Sequence, residues 1–377
     1  MRIGIVCYPT FGGSGVVATE LGIALANKGH VIHFITYDRP VRLREHSGRV
    51  FYHEVRVSDY PLFDYQPYEL VLSSKLVDVA LHEKLDLLHV HYAIPHASAA
   101  YMAQQILATH GRHVPFITTL HGTDITLVGR DPSFEPVITF AIERSNAVTS
   151  VSESLKRDTY SHFPVKRDIQ VIPNFICFDQ YAHAPDPVIR MAHAPAGEKL
   201  LVHVSNFRRV KRVDDVLAVF ERVRKHMPTR LLMIGDGPER QRLEQQCRSM
   251  EYGGDVSFLG KMIAPEEVVS NCDLFLLTSE TESFGLAALE AMACGVPVVS
   301  TDTGGTPEVN EHGVSGLLSP VGDVEAMTTN ALAIIGDPAS HARFRKGALE
   351  RAKRYDVDLI LPIYEALYNE TVERGSA

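Results

Sequence analysis

The chain has 377 residues, 45% hydrophobic and 22% charged, with a formal net charge of −9. At roughly 150 residues per domain this is room for two domains, each able to bury a core, and the acidic balance disfavours bulk binding of nucleic acid or an anionic membrane. The N-terminal segment MRIGIVCYPTFGGSG lacks a signal-peptide layout, no run approaches about 18 apolar residues, and Cys7, Cys177, Cys247, Cys272 and Cys294 never form a CxxC pair. A reduced, cytoplasmic protein is expected, with no nucleic-acid partner and no stable membrane association; homo-oligomer formation stays open.

In chain order, apolar runs at 3–7, 31–36, 50–55, 85–91, 115–120, 147–151 and 169–172 predict strands, with helices at 16–27, 68–82 and 97–108 between some of them. The cycle restarts at 200–204, 230–234, 256–259, 274–277 and 296–300. Fully apolar strands alternating with helices predict parallel sheets covered on both faces. The strand number and the length exceed a single (β/α)₈ barrel, so two doubly wound, Rossmann-like α/β domains are expected. The Pro-rich stretch 174–198 reads as the seam, giving domains at 1–174 and 175–358. A last helix at 359–373 follows the second and is free to pack on either.

Gly12-Gly13-Ser14-Gly15 leaves the first strand and opens a helix, where unpartnered amides favour an anion. With Val16, Val17, Ala18 and Asp38 it also fits the dinucleotide fingerprint, so nicotinamide binding is an alternative. Arg39, Arg42, Arg44 and Arg49 form a basic cluster after the second strand, read as either a solvated loop or an anion site. His89 and His91 share one strand face; with no third ligand at suitable spacing, packing and hydrogen bonding are preferred over a metal. His121-Gly122-Thr123-Asp124 leaves a strand end, where doubly wound sheets place ligands.

In the second half, Glu282 sits on a loop after a strand and Glu290 about two turns into a helix expected to start near Phe284. That helix start can offer the Phe284, Gly285 and Leu286 amides to a diphosphate, with the two carboxylates placed to accept hydroxyl donors. Two solvated glutamates on an amphipathic helix are the alternative. Asp356-Val357-Asp358 is formally a DxD, but its place before the last helix reads as a cap or turn.

The run ESFGLAALEAMACGVPVV, with Glu282 and Glu290 in E-x7-E spacing, resembles the signature of the GT-B glycosyltransferases, in particular the retaining family 4 group. SNFRRVKR, GDGPE and VSFLG are similar to further landmarks of that family in the same order. The resemblance implies a GT-B fold, two Rossmann-like domains facing a cleft, with the acceptor on the first and the nucleotide-sugar donor on the second. It implies catalytic roles for His121, Lys211 and Glu282, with Lys211 clamping the donor diphosphate, Glu282 approaching the sugar and Glu290 holding the ribose. Asn206 stands where the family usually has an Arg, so Asn206 or Arg208 would complete the clamp. Gly13 and Ser14 would face the donor phosphates, and the backbone at Lys261 and Met262 the base. No metal and no cofactor is implied.

CYPTFGGSGVVATELG, HVHYAIPHA and TTLHGTDIT narrow the resemblance to the malate-glycosylating branch of bacillithiol biosynthesis, implying UDP-N-acetylglucosamine as donor and L-malate as acceptor. Arg42, Tyr92, Thr123 and Asn174 are the acceptor candidates. A family 4 enzyme with a lipid-linked or sugar acceptor shares every donor motif and stays as the alternative; a non-catalytic sugar-nucleotide sensor is a further one.

Overall fold

The apolar runs fold into two all-parallel sheets in the computed structural model, which describes residues 1–10, 13–43, 48–57, 66–181 and 184–376. The first sheet has seven strands: β1 (Arg2–Val6), β2 (Val31–Thr36), β3 (Val50–Glu54), β4 (Leu87–His91), β5 (Phe116–Leu120), β6 (Ala147–Ser150) and β7 (Ile169–Val171), in the order β3-β2-β1-β4-β5-β6-β7. The second has six: β8 (Lys199–Ser205), β9 (Thr229–Gly235), β10 (Val256–Gly260), β11 (Leu274–Leu277), β12 (Val298–Thr301) and β13 (Gly316–Ser319), in the order β10-β9-β8-β11-β12-β13. Each central strand is an apolar stretch because helices cover both faces. Ile3, Ile5, Leu88, Phe116, Leu201, Leu231 and Leu276 are all fully buried, and each such side chain contributes about 1.5–3 kcal/mol.

The chain divides into two compact units, 1–175 with 357–377, and 176–356. The last helix, Val357–Ser376, belongs to the first unit, where its Tyr364 and Tyr368 are buried and the Tyr368 hydroxyl lies 2.7 Å from His89 Nδ1. Within the second unit the Ile176 amide donates to the Tyr355 carbonyl at 3.0 Å. That contact ties the segment entering the unit to the segment leaving it.

In both sheets the strand order reverses beside the first strand of the unit, between β1 and β4 and between β8 and β11. Loops leaving the carboxyl ends of strands flanking such a reversal are where open α/β sheets bind ligands. The loops after β1, β4 and β5 carry Gly13, Tyr92 and His121; those after β8 and β11 carry Asn206 to Lys211 and Glu282.

Candidate active site

In the second unit, the loop after β8 and the loop after β11 are bound together through their backbones. The Glu280 amide donates to the Val210 carbonyl at 2.8 Å, and the Thr278 hydroxyl bonds the Lys211 and Arg212 carbonyls at 2.8 and 3.0 Å. This holds Lys211 against Glu282: Nζ is 2.5 Å from Oε1, which also accepts the Ser279 hydroxyl at 2.8 Å. The Gly305 amide fixes the Glu282 carbonyl at 2.9 Å. The neighbouring Gly304 leaves no room for a side chain, since a Cβ there would lie 1.8 Å from that carbonyl oxygen.

The helix begins later than its sequence suggests, at Leu286, and ends at Ala293. Gly285 is its cap with φ 93, a left-handed conformation open to glycine, and the Ala288 and Leu289 amides both donate to the Gly285 carbonyl. The leading amides at Leu286 and Ala287 thus head the helix, where an anion is favoured. The Phe284 side chain is buried edge-on against Tyr355, with ring centroids 5.6 Å apart, so it anchors the loop. Because the helix starts at Leu286, Glu290 lies little more than one turn in, not two. Its Oε1 accepts the Tyr181 hydroxyl at 3.0 Å, a partner absent from the sequence reading.

Asn206 and Arg208 are both exposed on the loop after β8, with Phe207 buried between them. Lys261 is exposed and Met262 half-buried just past β10. The residues marked for a donor in this unit therefore share the carboxyl end of one sheet.

In the first unit, Gly13 caps the helix Ser14–Asn27, and Ser14 Oγ lies 2.6 Å from the Tyr92 hydroxyl. Tyr92 is buried with φ 86, a backbone conformation rare outside glycine and of a kind that collects at functional sites. Its ring centroid is 5.2 Å from that of His121, whose Nε2 lies 2.7 Å from His91 Nδ1. Burial, helped by His89 and His96, pushes the His121 imidazole down to about 3, so it is neutral at neutral pH. Asp124 is buried and accepts the Ala93 and Gly122 amides at 2.8 and 3.2 Å; burial outweighs these donors and lifts its carboxyl to about 6. Thr123 is exposed on the same turn, and Asn174 is buried just before the end of the unit's first segment.

The arginine cluster does not hold together. Arg42 pairs with Glu20 at 3.4 Å, while Arg49 donates to the Gly29 carbonyl at the opposite end of β2, and Arg44 and Gly12 lie outside the described residues. His89 is hydrogen-bonded on both ring nitrogens, to Tyr368 and Thr119. Another group of possible metal donors, His33, His53 and Glu83, lies within 4.8 Å. There Arg2 engages Glu83 at 2.9 Å and His33 Nδ1 lies 2.9 Å from His53 Nε2.

Known proteins resemble this chain in sequence and in fold. Residues 11–180 match the family described as Glycosyltransferase Family 4, and residues 188–351 match Glycosyl transferases group 1. The chain is 44% identical to N-acetyl-alpha-D-glucosaminyl L-malate synthase of Bacillus anthracis, over 99% of this chain and 97% of that one. Two solved structures share the fold: Anabaena HepE in complex with UDP and glucose (TM-score 0.80, 21% identity, 97% and 99% of the two chains), and sucrose-phosphate synthase of Thermosynechococcus elongatus (TM-score 0.80, 22% identity, 98% of each). Two doubly wound sheets, a Lys–Glu pair at a helix start and full-length likeness to a sugar transferase converge on one assignment: the chain belongs to the family 4 glycosyltransferases, enzymes of the GT-B fold.

Proposed function

We propose that the chain transfers N-acetylglucosamine from UDP-N-acetylglucosamine to the hydroxyl of L-malate, with retention at the anomeric carbon, as the first step of bacillithiol synthesis. The observation that carries this is the 44% identity to the Bacillus anthracis synthase over nearly the whole of both chains. The geometry supplies a mechanism. Breaking the glycosidic bond builds negative charge on the UDP phosphates, and Lys211 with the leading amides of Leu286 and Ala287 offers fixed positive potential for it. Asn206, Arg208, Gly13 and Ser14 extend the phosphate contacts, and the Lys261–Met262 backbone faces the base. Glu290, oriented by Tyr181, accepts the ribose hydroxyls. Glu282 and His121 address the transferred sugar.

With lysine and helix amides meeting the diphosphate, the transfer needs no divalent cation and no cofactor. The leaving phosphate takes the acceptor's proton during same-face attack. L-Malate has two carboxylates, and Arg42, Tyr92, Thr123 and Asn174 on the first unit are the groups to read it. No helix among the described residues is long and apolar enough to cross a membrane. The cysteines are all free, which supports a cytoplasmic location. The test is UDP release from UDP-N-acetylglucosamine with and without L-malate. Strong acceleration by malate supports the reading, whereas malate-independent release removes malate as acceptor.

A further inference from the structure

His121 has a neighbour that decides how it can act. His91, two residues along β4 from His89, is buried with its ring stacked between those of His89 and His121, at centroid distances of 4.5 and 5.0 Å. Its Nδ1 lies 2.7 Å from His121 Nε2. Its Nε2 is buried and has no hydrogen-bond partner among the described residues.

From these contacts we infer that His91 is a positioning residue that locks His121 into a single neutral tautomer, with the proton on Nδ1. A neutral imidazole carries one proton, and burial keeps both rings neutral, His91 well below the usual histidine range. A proton on His91 Nε2 would be a buried donor with no acceptor, which is more costly than a bare ring lone pair in the same place. The proton therefore sits on His91 Nδ1 and is donated to His121 Nε2, which must be unprotonated to accept it. The proton of His121 is then on Nδ1. The adjacent His96 follows the same pattern, because its Nδ1 faces the His91 carbonyl, an acceptor only, and its Nε2 is likewise buried without a partner.

The chemical consequence is specific. His121 offers an N–H at Nδ1, and its one lone pair, on Nε2, is taken by His91. It acts as a fixed donor to an oxygen of the sugar or leaving group and cannot serve as the base that deprotonates the acceptor. The contact with the sugar rests on the function proposed above, whereas the tautomer does not.

The test is long-range ¹H–¹⁵N correlation NMR on protein labelled at histidine, with His121 identified by the signal lost in His121→Asn. In the unsubstituted protein at neutral pH, His121 is expected with a protonated Nδ1 and a bare Nε2. His91→Phe removes the donor and should move His121 towards the Nε2–H form. It should lower kcat about tenfold, the effect of one lost hydrogen bond, with UDP affinity changed less than about twofold. His91→Asn restores an N–H near the Nδ1 position and should recover both tautomer and turnover. A protonated Nε2 on His121 in the unsubstituted protein, or a tautomer indifferent to His91→Phe, overturns the lock. A tautomer that shifts while kcat stays unchanged upholds the lock and instead removes the proposed contact between His121 and the sugar.

Discussion

Lys211 and Glu282 form a close ion pair, Nζ to Oε1 2.5 Å, at the point where a donor diphosphate is proposed to sit. Both side chains are largely removed from solvent, at 21% and 13% exposure, so each would be costly to leave alone. A diphosphate that takes Lys211 must compete with Glu282 for it. Glu282→Gln is therefore expected to leave UDP affinity unchanged or to raise it up to about tenfold, while turnover falls at least about tenfold. Lys211→Ala is expected to weaken UDP tenfold or more. Calorimetry with UDP checks both, and a Glu282→Gln protein that loses UDP as badly as Lys211→Ala contradicts the assignment.

Glu290 accepts the Tyr181 hydroxyl at 3.0 Å, from a segment distant in sequence. If Glu290 holds the ribose, Glu290→Ala should cost about 1.5–3 kcal/mol in UDP binding, roughly tenfold to a hundredfold. Tyr181→Phe removes one group that orients it and should weaken UDP a few-fold. UDP binding unchanged in Glu290→Ala would show that the ribose is held elsewhere.

Stability should fall steeply in mild acid. His33, His89, His96 and His203 are fully buried, and burial lowers them from 6.5 to about 4, 3, 4 and 4. At pH 5 each is neutral in the fold and protonated in the unfolded chain, so unfolding takes up protons and stability drops as pH falls from about 6.5 towards 4. Each imidazole is worth about 2 kcal/mol between pH 7 and 5. Asp124 works in the opposite sense, because its raised carboxyl, about 6 against 3.8, takes a proton in the fold first and offsets part of the loss. Urea unfolding at pH 7 and pH 5 measures the difference; equal stabilities would mean these histidines are solvated.

Metal removal should leave activity intact. In the proposed mechanism lysine and helix amides fill the role a divalent cation has in a DxD enzyme, and Asp356 and Asp358 here flank the start of the last helix. Dialysis against EDTA is expected to preserve turnover. Loss of most activity, restored by magnesium or manganese, would show that the phosphate site needs a cation.

The acceptor pocket should measure two carboxylates. L-Lactate keeps the hydroxyl and one carboxylate but forfeits every contact to the second, so kcat/KM should favour L-malate strongly. D-Malate should also be poor, because inverting the carbinol carries the hydroxyl away from the anomeric carbon. Arg42→Ala should raise the malate KM with UDP binding nearly unchanged. Comparable kcat/KM for L-lactate and L-malate would remove the two-carboxylate pocket.

Strands were legible in the sequence where both faces are buried, because such strands are written as unbroken apolar runs: β2 and β11 fall on 31–36 and 274–277. β13, with the sequence GLLS at the sheet edge, has only two adjacent apolar residues, both half-buried, and periodicity alone does not reveal it. Lys211 and Glu282 were legible through motifs that keep their spacing. Their mutual ion pair was not, because it depends on how two loops after different strands are tied through Thr278 and Glu280. Tyr181 sits in a Pro-rich segment without periodicity, so nothing local links it to Glu290. His91 was visible only as a partner of His89 on one strand face; its bond to His121 requires the parallel register of β4 and β5.

The proposed reaction is transfer of a sugar to malate with retention. NMR of the reaction of UDP-N-acetylglucosamine with L-malate tests it most directly. One equivalent of UDP and an α-linked N-acetylglucosaminyl residue on the malate hydroxyl are expected. A β-linked product, or UDP formed without any malate conjugate, would contradict it.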